Sequence, residues 1–342
     1  MRLVDLRSDT LTMPSPEMRR LMTEAELGDD VFGEDPTVNR LQDVAAERMG
    51  KEAALLVSSG TMGNLLGVLV NARSGQEIIA DTDSHVFVNE GGGAASLGGI
   101  QIRTVSTPRG VMSPEQVERA IRPTDDVHQP ITACVSVEDT HNRHGGVVWP
   151  LEALRSVSEV AHRHGAGVHL DGARIYNAAV ASGVPVAEIA ATADTVTFCI
   201  SKGLGCPIGS LFCGPRDKVQ EALRWRKMLG GGTRQAGVLA AAGLYALDHM
   251  VDRLADDHAN ARTLAEGLAE IDGVRCELDR VETNIVFIEL ERMSAHEFTA
   301  ECDKRGLRTD GNGRRVRLVT HFGVEPEDVQ YALSVISEVT AS

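Results

Sequence analysis

Lysine is scarce in this chain. Of 342 residues only Lys51, Lys202, Lys218, Lys227 and Lys304 are lysines, and arginine carries the remaining positive charge. Any reaction that needs a side-chain amine therefore has a short list of candidates. No two of the six cysteines (Cys134, Cys199, Cys206, Cys213, Cys276, Cys302) form a CxxC pair. They read as reduced thiols, which points to the cytoplasm and to no metal ligand set. No stretch of 18 residues is free of polar breaks, so no membrane span is expected. The opening MRLVDLRSDT carries charges where a signal peptide needs an apolar core. Basic excess is missing too. The net charge of -15 repels a phosphate backbone, so nucleic acid is not an expected partner. There is no GxGxxG, which disfavours a dinucleotide fold, and no repeat or low-complexity linker.

What is present is ordinary for a globular chain, with 42% apolar and 24% charged residues. The length exceeds what one core usually carries. The reading is a large domain over 1–245 and a smaller α+β domain over 246–342. From about 35 to 230 strand and helix patterns alternate. Asp35-Pro36 reads as an N-cap and first turn, Val38, Leu41, Ala45 and Met49 keep helical spacing, and Gly50 closes the helix. AALLVS, EIIAD, QIRTV, ITACVSV, AGVHLD, TVTFCI and IGSLFC are short continuous apolar runs, as strands covered on both faces would be. An α/β domain with a mostly parallel sheet follows. Residues 234–270 read as one long helix. Strands near 285–290 and 316–319 and helices near 294–304 and 326–338 complete the smaller domain.

Four segments point to chemistry. In TFCISKGLGCPIGS, Lys202 follows an apolar strand and precedes small residues. An amine there has room to reach a planar ligand, and partial burial would free it as a nucleophile toward an aldehyde. A lone SK dipeptide is more often a surface turn. In GVHLDGARIYNA, Asp171 ends a strand, where ligands of parallel sheets bind. A carboxylate there can pair with a protonated pyridine nitrogen, and Arg174 can reach the same cleft with a planar fork suited to a carboxylate. The bland alternative is an N-cap aspartate beside a solvated arginine. In VSSGTMGN, Gly60 and Thr61 open a helix, whose free amides suit a phosphate; a plain glycine turn capped by Thr61 is the competing reading. His85, in DSHVFVNEGGGAA, could lie on a cofactor ring or act on a hydroxyl, or simply be a structural hydrogen-bonder.

Loop, aspartate and lysine in that order resemble the fold-type I pyridoxal-phosphate enzymes. DLRSDT, GDDVFGEDPTVNRL, SSGTMGN, SH at 84–85, EDTHN, HLDGARIYNA, ISKGLGCPIGS, GGGTRQAG and VRLVTH together resemble the L-threonine aldolases of the low-specificity type, from residue 4 to about 330. The resemblance implies pyridoxal 5'-phosphate bound covalently to Lys202, its phosphate at Gly60 and Thr61, its ring nitrogen at Asp171 and its ring under His85. It implies that Ser8, Arg174 and Arg317 bind the substrate carboxylate, that His128 lies near the substrate hydroxyl, and that Lys227 and Arg234 lie near the phosphate, offered across a subunit boundary. It implies retro-aldol cleavage of L-threonine and L-allo-threonine to glycine and an aldehyde. A dimer or homotetramer with shared sites follows. Other activities of that fold class on a small amino acid, and a non-catalytic ligand sensor, are the alternatives. One departure concerns specificity: the family often has an aromatic four residues after His85, and this chain has Asn89.

Overall fold

The computed structural model describes residues 3–341. Its centre is a seven-stranded sheet in the order Ala53–Val57, Ser210–Gly214, Thr195–Cys199, Gly167–Asp171, Thr132–Glu138, Glu77–Asp81, Gln101–Val105. Ser210–Gly214 runs antiparallel to both neighbours. The other four pairings are parallel, so six strands point one way. Most central strand residues are buried, which is why their apolar runs are continuous rather than alternating.

Local signals set the helices around the sheet. Asp35 caps Pro36–Met49 through Oδ1, which accepts from the Thr37 and Val38 amides, and Gly50 ends it in the left-handed region at φ 61°. At Gly67 and Gly60, among others, another element comes too close for any side chain. A Cβ on Gly67 would lie 2.2 Å from the His169 ring, and one on Gly60 would lie 2.8 Å from Cys199 Sγ. Both glycines belong to the helix Gly60–Asn71, which is thereby pressed flat against the sheet.

The stretch expected as one helix over 234–270 is two, Gly237–His249 and Leu254–Ala269. Ala240, Ala242, Ala246 and Leu247 pack in the core around the large sheet. Ala261, Leu264, Ala265 and Leu268 pack in a second core. One straight rod cannot serve both, so the chain turns between them. The second core covers an antiparallel sheet in the order Asp310–Asn312, Arg315–Val319, Ile285–Leu290, Val274–Cys276. The helices Ala295–Asp303 and Pro326–Thr340 contribute Phe298, Val329 and Ile336 to it. Val4 and Leu6 join the same core, and Val4–Asp5 pairs in parallel with Leu307–Arg308. This tether brings the residues that follow it, Ser8 and Asp9, back onto the large sheet. Among the described residues no helix is long and apolar enough to cross a membrane.

Candidate active site

The carboxyl ends of the six codirectional strands form one edge, and most of the expected residues stand on it. Asp171 is the last residue of Gly167–Asp171 and is buried. Its Oδ2 accepts from Asn64 Nδ2 at 2.7 Å and its Oδ1 from the Ala173 amide at 3.0 Å. Lys202 lies three residues beyond the end of the next strand, Thr195–Cys199. It lines a cleft with Gly172, Arg174, Tyr176, Asn177 and Phe198. No hydrogen bond or ion pair ties its amine to another described residue, so the group is free to take a ligand.

A second group of charges sits beside it. Arg174 is buried and donates from Nε and Nη2 to the two carboxylate oxygens of Asp9, each at 2.7 Å. Burial by itself would raise the Asp9 pKa. The charge and hydrogen bonds of Arg174, with the nearby charge of Lys202, overcome this and hold it well below the usual carboxylate range. Ser8 caps the short turn that carries Asp9, its Oγ accepting from the Thr10 amide. Arg317 reaches the same region from the antiparallel sheet, donating to Asn142 Oδ1 at 2.9 Å and to the Arg7 carbonyl at 3.0 Å. Its Nε is buried without a partner. Burial and the neighbouring Arg174 charge both lower its pKa.

His85 stands at the edge of this cleft. Its Nδ1 lies 2.8 Å from Glu90 Oε1, and its backbone amide donates to Glu138 Oε2 at 2.6 Å. The Glu90 hydrogen bond is the main cause of a raised His85 pKa, and burial works against it. Glu90 is itself raised, by burial first and by Asp171 nearby. Asn64 joins the two carboxylates, donating also to Glu90 Oε1 at 2.7 Å. Asn89 caps the one-turn helix His85–Val88 and is exposed.

The expected phosphate loop lies at the open start of Gly60–Asn71. The N-cap is Ser59, whose Oγ accepts from the Met62 amide, and not Thr61. The Gly60 and Thr61 amides are left without intrahelical partners, as the first amides of any helix are. Gly231 lies against Met62 and Gly232 against Lys227, so the glycine-rich loop adjoins the phosphate loop within one chain. Arg234 is exposed and paired with Asp29 at 2.9 Å. His128 is elsewhere. Its loop is fastened to the opposite edge of the sheet, where Arg122 donates to Glu77 and Thr132, the first residues of their strands. Four steps along a strand separate the two edges by roughly 13 Å. His128 therefore does not meet Lys202 in the same chain.

Asp9, Asn64, Glu90 and Asn142 were assigned no role from sequence, although each lies in or beside a quoted motif. For Asp9, Asn64 and Asn142 the signal is tertiary, since each touches a singled-out residue from a distant part of the chain; Glu90 meets His85 from five residues away. Asp30 and Arg226 form a further buried ion pair at 2.8 Å, which fixes the GDDVF segment to the helix Arg216–Met228.

Comparison with solved structures shows the architecture. Threonine aldolase of Leishmania major superposes with a TM-score of 0.84 at 20% identity, covering 98% of this chain and 99% of that one. Serine palmitoyltransferase of Sphingomonas wittichii gives 0.79 at 20% identity, covering 99% and 87%. The fold is the fold-type I α/β architecture. The sequence comparisons are narrower. The beta-eliminating lyase family model matches residues 5–292. Low-specificity L-threonine aldolase 1 of Arabidopsis thaliana is 44% identical over 345 residues, covering 99% of this chain and 96% of that protein. The low specificity L-threonine aldolase of Escherichia coli K12 is 44% identical over 328 residues, covering 96% of each. The chain belongs to the beta-eliminating lyases and, within them, to the family of the low-specificity L-threonine aldolases.

Proposed function

We propose that this protein is a pyridoxal-phosphate lyase that cleaves L-threonine, L-allo-threonine and related β-hydroxy-α-amino acids to glycine and an aldehyde. The observation that carries the reading is the untethered Lys202 amine in a cleft with Arg174, just past the strand next to the one that ends in the buried Asp171 carboxylate, with the Arg317 Nε left unpartnered near Arg174. These groups fit the cofactor. Lys202 Nζ would hold it covalently, Asp171 would face its ring nitrogen, and the Gly60 and Thr61 amides would take its phosphate. Bound there, pyridoxal phosphate supplies the electron sink that lets the bond between Cα and Cβ break.

The protein's own part is orientation and proton transfer. Arg317 and Arg174, with the Ser8 hydroxyl, bind the substrate carboxylate. Asp9 occupies one face of the Arg174 fork and fixes where the rest of it points. Holding the carboxylate turns the bond to be broken out of the ring plane, and that alignment selects the reaction. Glu90 favours the protonated form of His85, which suits a ring that rests on the cofactor and leaves the hydroxyl proton to another base. Removal of the hydroxyl proton then falls to His128 of a neighbouring copy, or to a water that it holds.

A homotetramer with shared sites, working in the cytoplasm, completes the proposal. Phe32 and Met228, 74% and 65% exposed, flank the surface that carries Lys227 and Arg234, and Val127 beside His128 is 94% exposed. Apolar exposure of this kind marks surfaces that are covered in an assembly. The six free thiols suit a reducing compartment. Purified protein supplied with cofactor should release aldehyde from L-threonine, L-allo-threonine and β-phenylserine. Failure to release aldehyde from any of them, with cofactor demonstrably bound, would overturn the reading.

A further inference from the structure

A second cluster of ligating atoms lies where the large sheet meets the segment 139–145. Asp81 ends the strand Glu77–Asp81 and is buried. Its Oδ1 is 3.3 Å from His141 Nε2 and 3.7 Å from His144 Nε2. Asp83 Oδ2 lies 3.5 Å from His144 Nε2 on the other side. Neither ring nitrogen of His141 makes a hydrogen bond, nor does His144 Nε2, although all three atoms are buried. Unpaired buried imidazole nitrogens aimed at a carboxylate are costly unless something else takes their lone pairs.

We infer that Asp81, His141 and His144 form a binding site for a divalent cation of the zinc class, separate from the amino-acid cleft, with Asp83 beside it. Two imidazoles and one carboxylate are a donor set for such an ion with a fourth position left to water, and ligands at about 2.0–2.1 Å in a tetrahedron stand about 3.4 Å apart. The two separations from Asp81 Oδ1, 3.3 and 3.7 Å, bracket that value, and the three ligand atoms all lie within 4.8 Å of one another. The surroundings are those of a supported site. Thr107 Oγ1 donates to Asp81 Oδ2 at 2.8 Å and the Asp83 amide to Asp81 Oδ1 at 2.8 Å, which orients the central carboxylate. Gly110 packs so closely on His141 that a Cβ there would lie 2.3 Å from the ring, which holds the imidazole in place. Arg143 lies 3.6 Å from Asp83 Oδ1, leaving Oδ2 to face His144. A cleft lined by Pro108, His144, Arg280 and Arg315 gives an entry path. Binding takes the neutral imidazoles and releases any proton they carry.

The site has a connection to the first one. Asn142, which accepts from Arg317, lies between the two histidines. An ion at this point fixes the segment that holds Arg317.

The test uses cofactor-loaded protein stripped of adventitious metal and titrated with Zn²⁺ alone, then with Co²⁺ as a spectroscopic probe. One Zn²⁺ per chain should bind, the melting temperature should rise, and Co²⁺ should show intense tetrahedral ligand-field bands. His144→Ala and, independently, Asp81→Asn should each weaken Zn²⁺ binding at least tenfold. Absence of uptake by the wild-type protein, or uptake that is the same in both variants, would overturn the inference. Neither outcome bears on aldehyde release, so the two proposals fail separately.

Discussion

Arg174 and Asp9 are joined by two parallel hydrogen bonds of 2.7 Å across 165 residues of chain. Both side chains are buried, and Asn284 makes a longer third contact with Asp9 at 3.4 Å. The pair binds the segment around Asp9, whose neighbours Val4 and Leu6 sit in the second core, to the strand end that carries Asp171. Asp9 thereby positions Arg174. Asp9→Asn keeps the shape and removes the charge. It should raise KM for L-threonine and lower kcat/KM by roughly 10- to 100-fold, because a misplaced anchor costs about that much. Wild-type kinetics in this variant would remove Asp9 from the carboxylate site.

Lys202→Ala should abolish aldehyde release and the absorption of lysine-bound cofactor, with the circular dichroism of the fold unchanged. Asp171→Asn should keep some cofactor through the phosphate loop and lose most of the rate, because the electron sink weakens without its negative partner. Near-normal turnover in either variant would withdraw that residue's role.

Glu90→Gln tests the charge on His85. The Glu90 hydrogen bond is what chiefly raises the His85 pKa, so the titration midpoint of the His85 ring, followed by NMR, should move down in the variant. The contribution of the His85 ring to stability is full below the ordinary histidine value and fades as pH rises through the raised one. A midpoint that stays where it was would mean that another group sets the charge.

His169 carries an opposite pH dependence. It is wholly buried beneath Gly67, bonded to Thr195 Oγ1 at 3.0 Å, and burial lowers its pKa from 6.5 to about 4. The unfolded chain therefore binds the extra proton between those values. Stability should be full above pH 6.5 and should fall as pH drops toward 4, by about 3 kcal/mol in all. Denaturant unfolding across this range should show the slope, and His169→Gln should flatten it. An equal slope in the variant would assign the effect to other groups.

Subunit exchange tests the shared site. Inactive Lys202→Ala and inactive Arg234→Ala chains, mixed and exchanged, should recover part of the activity if Arg234 serves a neighbouring copy. No recovery after demonstrated exchange would place Arg234 in its own chain's site or outside any site.

Much of the scaffold was legible without coordinates, because its causes are local. Asp35, Pro36 and Gly50 bound their helix through caps and backbone preferences that act within a few residues. Continuous apolar runs located the strands of the buried sheet, and the expected positions of Asp171 at one strand end and Lys202 just past another agree with the strands observed. What the sequence could not decide are contacts between distant segments. Nothing in the periodicity of 234–270 says that its two halves serve different cores and must separate. Nothing near Ser8 says that Asp9 will meet Arg174, or that Asn64 will bridge Asp171 and Glu90. His128 shares its motif position with a residue expected near the substrate, yet its loop is anchored at the far edge of the sheet. Propensity and capping depend on neighbours along the chain. Which charges pair, and which histidine faces which carboxylate, depends on the fold that brings them together.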